Sequence, residues 1–364
     1  MNNVKDVVLL ANEYSYGFAE KVSSILKKRD INFSLEKIEC KSFPDGNRYV
    51  QVGQNVRKNN VLVIQAYIVG NPILCNWDLL LTADALKRCE CDDFRFFVSF
   101  LDGRQDTKKD GRVAITAKMV ADLLDKAGGR KYNGFSSINM HSAQQMGFFD
   151  VSVDNLDAMP LFVWYIKNIL FKDFYKRDIV KENLVVVAPD QGSSKTAKRF
   201  ADLLGCDISY SDKNRTTFNE GGKSNINKIM GSDINGKIAL LIDDIFDSGG
   251  TLEENALILK ENGIKEIYGF FTHCLASEKR GVKAEDRMRN VGLKAITTDT
   301  TGRGLEYLER NKDWLKCILS VSPIVAEFIY RDTKGLSVSE MFSNKDIISN
   351  LLNNLDPNSF IERL

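Results

Sequence analysis

Residues 238–263 read IALLIDDIFDSGGTLEENALILKENG. Ile238–Ile242 is a continuous apolar run, as expected of a strand buried on both faces. It ends in Asp243-Asp244 and, two residues later, in Asp247-Ser248-Gly249-Gly250-Thr251. Leu252–Asn262 then carries apolar residues at helical spacing and stops at Gly263. The order strand, glycine turn, helix is the unit of an open α/β sheet. Working outward, the same order recurs. Val7–Leu10 precedes a helix through Phe18–Leu26, and Asn60–Ala66 precedes Trp77–Lys87. Phe94–Phe100 precedes Ile115–Ala127, Leu184–Asp190 precedes Ser194–Leu204, and Glu266–His273 closes the series. The pattern appears once before about residue 157 and again after it. It predicts an α/β fold of two tandem domains, each a mostly parallel sheet flanked by helices, over 1–157 and 158–342, with an extension at 343–364. In that extension Ile347, Ile348, Leu351, Leu352 and Leu355 share a helical face, to be covered by the protein's own core or by another subunit.

Composition narrows the function classes. The 364 residues include 50 basic and 49 acidic side chains, so bulk charge does not drive binding to nucleic acid. No apolar run is long enough for a membrane helix. The opening MNNVKDVVLLANEYS lacks a small-residue cleavage site and reads as a first buried strand. Seven widely spaced cysteines suit a reducing, cytoplasmic setting. Cys89 and Cys91 have no second pair to complete a zinc set, and two histidines, His141 and His273, argue against a histidine-rich metal site.

The glycine turn after the paired aspartates carries the clearest chemistry. Glycines let backbone amides approach a ligand, and amides at a helix start favour an anion. No lysine occurs in the turn, so it is not an ATP-cradling P-loop. A phosphate monoester held by amides and hydroxyls fits, and the carboxylates would then face sugar hydroxyls or a hydrated magnesium ion. In VVVAPDQGSSKTAKRF (Val185–Phe200), Asp190 likewise follows a buried strand at its carboxyl end, where open α/β sheets bind ligands. FPDGNRYVQV (Phe43–Val52) places an aromatic beside a tight turn, and DGRQDTKKDGR (Asp102–Arg112) sets Arg104 and Gln105 after a strand. SINMHSAQQMGFFD (Ser137–Asp150) contains His141, and Gly221-Gly222 marks a mobile polar loop. Alone, the first of these reads equally as a hairpin turn, the second as a charged loop, and His141 as a structural histidine.

Together the motifs resemble the ribose-phosphate pyrophosphokinases, the phosphoribosyl pyrophosphate synthetases. FPDG, ALKR, GRQD with ITAKMVADLL, MHSAQQMGFFDVSVDNL, VVVAPDQG, SDKNR, LIDDIFDSGGT and THCLAS fall in the family's order between Val7 and Phe342. The resemblance implies two phosphoribosyltransferase-type domains, a Mg2+-dependent reaction and a homo-oligomer. It implies transfer of the β,γ-diphosphoryl group of ATP to the 1-hydroxyl of ribose 5-phosphate. Carried over, Asp247, Ser248, Gly249, Gly250 and Thr251 would bind the 5-phosphate, and Asp243 and Asp244 the ribose hydroxyls. Asp190 would lie at the ribose and metal, and Arg104 and Gln105 would contact ATP. His141 would contact the ATP phosphates and a magnesium ion. Phe43 and Asp45 match an adenine-binding pair that in the family is donated by a neighbouring subunit. Lys213 and Arg215 match the basic pair of a catalytic loop. Asn139 stands where the family has a magnesium-binding aspartate, Asn47 where it has a glutamate, and Asn214 interrupts a basic triplet. These departures leave room for two alternatives: the same transfer to a larger 5-phosphoribosyl acceptor such as ADP-ribose, or a regulatory subunit of a synthetase complex.

Overall fold

The structure, a computed structural model, describes residues 6–102, 111–189, 192–212 and 228–363. The chain divides into two compact units that do not follow chain order. Unit 1 comprises Met1–Ala158, Thr300–Gly302 and Ser320–Phe360, and unit 2 comprises Met159–Asp299, Arg303–Leu319 and Ile361–Leu364. Residues 320–342, expected in the second domain, therefore belong to unit 1.

Among the described residues unit 1 holds a sheet of β1 (Val7–Asn12), β2 (Phe33–Ser42), β3 (Arg48–Val52), β4 (Val61–Gln65), β5 (Phe94–Val98), β6 (Tyr132–Ile138) and β7 (Ser152–Leu156). Their spatial order is β3-β2-β1-β4-β5-β6-β7, parallel except for the β2–β3 hairpin. Every residue of β1 and β4 is buried, because helices cover both faces of the sheet. The β2–β3 hairpin instead alternates between half-buried and exposed positions. The helix Glu13–Leu26 starts at Asn12, whose side chain accepts the Ser15 N–H at 3.2 Å. The helix Pro72–Arg88 starts with proline at its first turn and ends with Lys87 and Arg88, which suits both termini. Phe94, Phe96, Phe135 and Leu124 lie in the buried centre of this unit.

Unit 2 holds β8 (Leu184–Ala188), β9 (Asp207–Asp212), β10 (Lys228–Gly231), β11 (Ile238–Phe246), β12 (Glu266–Cys274), β13 (Lys294–Thr298), β14 (Leu315–Leu319) and β15 (Ile361–Glu362). Their order is β10-β9-β8-β11-β12-β13-β14-β15. The first seven repeat the order of unit 1, including an antiparallel β9–β10 pair where unit 1 has β2–β3. Phe246, Phe271, Trp314 and Leu259 lie in its buried centre.

The extension is covered by its own chain. Its helix Lys345–Asn353 buries Ile348 and Leu352 completely, and Leu355 and Phe360 follow them inside. The helix Ser322–Thr333 packs along Glu13–Leu26 within unit 1. The last residues form β15, antiparallel to β14 with Leu319 opposite Ile361, which occupies the sheet edge.

Candidate active site

Strand order places the main loop. In unit 2 the sheet runs outward in both directions from the adjacent parallel strands β8 and β11. The crevice at such a reversal, outside the carboxyl ends, is where open α/β sheets take ligands. Both Asp190 and the turn Asp247–Thr251 follow the carboxyl ends of these two strands. Asp190 lies outside the described residues, as do Arg104, Gln105, Lys213 and Arg215.

Asp243 and Asp244, at the carboxyl end of β11, are half-buried. The Asp244 N–H donates to Asp243 Oδ1 at 2.9 Å, which fixes one carboxylate against the backbone. Asp247 and Ser248 are also half-buried, and Thr251 is exposed. Gly249 sits immediately before the helix Gly250–Glu261 with φ 73° and ψ 0°. A Cβ there would lie 3.1 Å from Met288 Cε and 3.3 Å from Phe246 Cε2, so both the backbone angle and the close neighbours disfavour a side chain. Its N-cap is Gly249, which has no side chain to cap it, and a helix start favours an anion. The structure thus brings Asp243, Asp244, Asp247, Ser248, Gly249, Gly250 and Thr251 into one cradle at the strand end.

Phe43 and Asp45 occupy the tip of the β2–β3 hairpin. The Phe43 N–H donates to Asn47 O at 2.7 Å and the Gly46 N–H to Phe43 O at 2.9 Å, closing the turn. Phe43 is 53% exposed, with its ring edge-on to Tyr49 at 6.0 Å between centroids. That leaves an aromatic face for a planar base. Asn47 ties down its neighbour: its backbone N–H and its Nδ2 donate to the Asp45 carboxylate at 3.0 and 2.8 Å. These bonds, the backbone one foremost, lower the Asp45 pKa below the ordinary carboxylate value.

The root of that hairpin is fixed by a pair the sequence reading missed. Arg48 Nε and Nη2 donate to Asp78 Oδ1 and Oδ2 at 2.6 and 2.7 Å, a bidentate fork. The Asp78 carboxylate is fully buried and also accepts the Tyr14 hydroxyl at 3.2 Å. Burial first, and then the Asp78 charge, push Tyr14 above its usual range, and the same two causes push the Cys40 thiol up to about 12. The one sequence signal was an aspartate inside the apolar helix stretch Trp77–Leu81. Arg48→Met would strand a buried carboxylate and is expected to cost about 3–5 kcal/mol of stability. Urea unfolding measures it, and Arg48→Met with Asp78→Leu should recover most of the loss.

Asn139 has a structural assignment. It holds φ 37°, a left-handed angle that asparagine tolerates better than most residues. Its backbone N–H donates to Leu156 O at 2.8 Å. Its Oδ1 accepts the Ala158 N–H at 2.9 Å and its Nδ2 donates to Asp157 Oδ1 at 3.2 Å. The Met140 N–H donates to Asn155 Oδ1 at 2.9 Å. The carboxamide thus laces the end of β6 to the end of β7 and presents His141, exposed, two residues on. Among the described residues no group of three or more His, Cys, Asp or Glu is placed to hold a metal by protein ligands alone. Asn139→Asp would exchange the donor to Asp157 for a second carboxylate and is expected to lower the melting temperature. Its magnesium titration should match the wild type, and a tightened titration would place residue 139 at the ion instead.

Comparison with known proteins converges on one family. The family model for the N-terminal domain of ribose phosphate pyrophosphokinase matches residues 7–128, and the phosphoribosyl transferase domain matches residues 152–310. The ribose-phosphate pyrophosphokinase of Fusobacterium nucleatum is 33% identical over 349 residues, covering 94% of this chain and 100% of that protein. That of Aquifex aeolicus is 34% identical over 346 residues, with the same coverage of each. Among solved structures, phosphoribosylpyrophosphate synthetase from Mycobacterium smegmatis superposes with a TM-score of 0.74 at 27% identity, covering 91% of this chain and 100% of that one.

Proposed function

The chain belongs to the ribose-phosphate pyrophosphokinase family, and we propose that it transfers the β,γ-diphosphoryl group of ATP to the 1-hydroxyl of ribose 5-phosphate, giving phosphoribosyl pyrophosphate and AMP. The cradle at the end of β11 carries this reading. The helix start at Gly249 offers amides to the 5-phosphate, and Asp243 and Asp244 stand one strand-end earlier to accept the ribose hydroxyls.

On the ATP side, the exposed Phe43 ring stacks on adenine and Asp45, held ionised by Asn47, accepts from its amino group. A neighbouring subunit would contribute this tip in a homo-oligomer. Arg104, Gln105 and His141 bind the phosphate chain. Lys213 and Arg215 meet the charge that gathers on the diphosphoryl oxygens in flight, where fixed cations stabilise the transition state most. The donor chemistry fits magnesium, a hard cation that takes one or two protein ligands and fills its shell with substrate oxygens and water. His141 and Asp190 would hold it, with Asn139 left to its backbone bracket. When bound, magnesium neutralises charge on the ATP phosphates. No helix of the described residues is long and apolar enough to cross a membrane, and we place the enzyme in the cytoplasm.

Incubation with ATP, magnesium and either ribose 5-phosphate or ADP-ribose tests the reading. AMP and phosphoribosyl pyrophosphate should appear with ribose 5-phosphate. AMP with ADP-ribose alone would reassign the acceptor, and AMP with neither would point to the regulatory alternative.

A further inference from the structure

The sugar-phosphate loop leans on one short turn. The N–H groups of Leu275 and Ala276 both donate to Phe246 O, at 2.9 and 3.1 Å, and the Ser277 N–H donates to Asp247 O at 3.2 Å. These three bonds fix the backbone where the loop leaves β11. The turn is not relaxed, because Ala276 holds φ 50°, a left-handed angle unfavourable to a residue with a Cβ.

Arg303 grips the other side of the same turn. Its Nε donates to Cys274 O at 3.3 Å and its Nη2 to Leu275 O at 2.6 Å. Its guanidinium carbon lies 4.0 Å above the Tyr307 ring, a stacking that orients the fork. The Tyr307 hydroxyl donates to Glu285 Oε1 at 3.0 Å. Glu285 lies on the helix Ala284–Asn290, which supplies Met288 and the Ala284 carbonyl that crowd Gly249. Arg303 is thereby linked to the backbone where the loop leaves β11 and to the helix packed against Gly249.

We propose that Arg303 is a positioning residue for the sugar-phosphate loop. It sets the turn 274–277 and so holds Phe246 and Asp247 where the cradle needs them. The inference rests on the reading of Asp247–Thr251 as the 5-phosphate cradle. Arginine is required because two carbonyls and an aromatic face are engaged at once, whereas a lysine ammonium offers a point charge without the flat fork.

The test compares wild type, Arg303→Lys and Arg303→Met, each as the full chain with ATP and magnesium. Arg303→Met should raise the KM for ribose 5-phosphate about tenfold, equivalent to about 1.4 kcal/mol. The KM for ATP should stay at the wild-type value, and Arg303→Lys should fall between. Amide hydrogen exchange of the segment 243–251, measured without substrate, should quicken in the same order. Equal rises in both KM values, or an unchanged ribose 5-phosphate KM, would overturn the proposal. If Arg303→Met does not fold, Tyr307→Phe, which keeps the stacked ring and drops the bond to Glu285, should show a smaller rise confined to ribose 5-phosphate; no rise would overturn the proposal. Loss of the enzymatic reading is recognised separately, by a wild type that releases no AMP. The exchange contrast then still decides whether Arg303 braces the loop.

Discussion

Alanine at Lys213 is expected to lower turnover by about 10²–10³-fold, the usual effect of deleting one preorganised charge that acts on the transition state. Sugar-phosphate affinity should change little, because the cradle after β11 is a separate set of residues. Strand β9 ends at Asp212 and pairs antiparallel with β10, with Asp212 opposite Lys228. This pair occupies the place that the β2–β3 hairpin holds in unit 1. By sequence, Phe43 and Asp45 fall in the β2–β3 connection and Lys213 and Arg215 in the β9–β10 connection, the latter outside the described residues. Steady-state kinetics with saturating ATP gives the result directly. A kcat at the wild-type level would remove Lys213 from the chemistry and leave the cradle assignment standing.

Valine at Gly249 is expected to raise the KM for ribose 5-phosphate by about 100-fold or more. A β-branched residue at φ 73° costs on the order of 1–3 kcal/mol of backbone strain. The Cβ would also meet Met288 and Phe246 at 3.1 and 3.3 Å, which adds to the strain on the loop. A displacement that costs about 3 kcal/mol of binding corresponds to roughly two powers of ten in affinity. Gly17→Ala, in the helix Glu13–Leu26, is the control, since a Cβ there enters open space and the residue is not part of the cradle. Binding calorimetry with ribose 5-phosphate separates the two variants. A Gly249→Val protein that folds and binds like the wild type would show that the turn does not cradle the phosphate.

The parts of the fold that were legible are those whose residues face apolar surroundings on both sides. Val61–Gln65 and Leu184–Ala188 are wholly buried, and such runs announce themselves. Strands β13 and β14 lack so clear a signal, although Lys294–Thr298 and Leu315–Leu319 sit among the buried strands of unit 2. Their threonines, lysines and cysteine blur the apolar signal, and Thr297 and Thr298 satisfy their buried hydroxyls on the β12 carbonyls at 2.8 and 2.6 Å. The strand–turn–helix geometry at Asp243–Thr251 was legible because acids and glycines at a strand end have a local meaning. Asn139 was not, since its partners Asp157 and Ala158 arrive from the next strand. The fork between Arg48 and Asp78 spans 30 positions and follows only from the packing of a hairpin on a helix. The tail showed its apolar face in sequence but not its partner, and residues 320–342 cross to unit 1 for reasons of tertiary packing alone.

A crystal structure of the protein with ribose 5-phosphate decides whether the loop after β11 holds the sugar phosphate. The 5-phosphate should sit on the backbone amides of Ser248–Thr251, with the ribose hydroxyls at Asp243 and Asp244. A sugar phosphate bound elsewhere, with that cradle unfilled at saturating ligand, would contradict it.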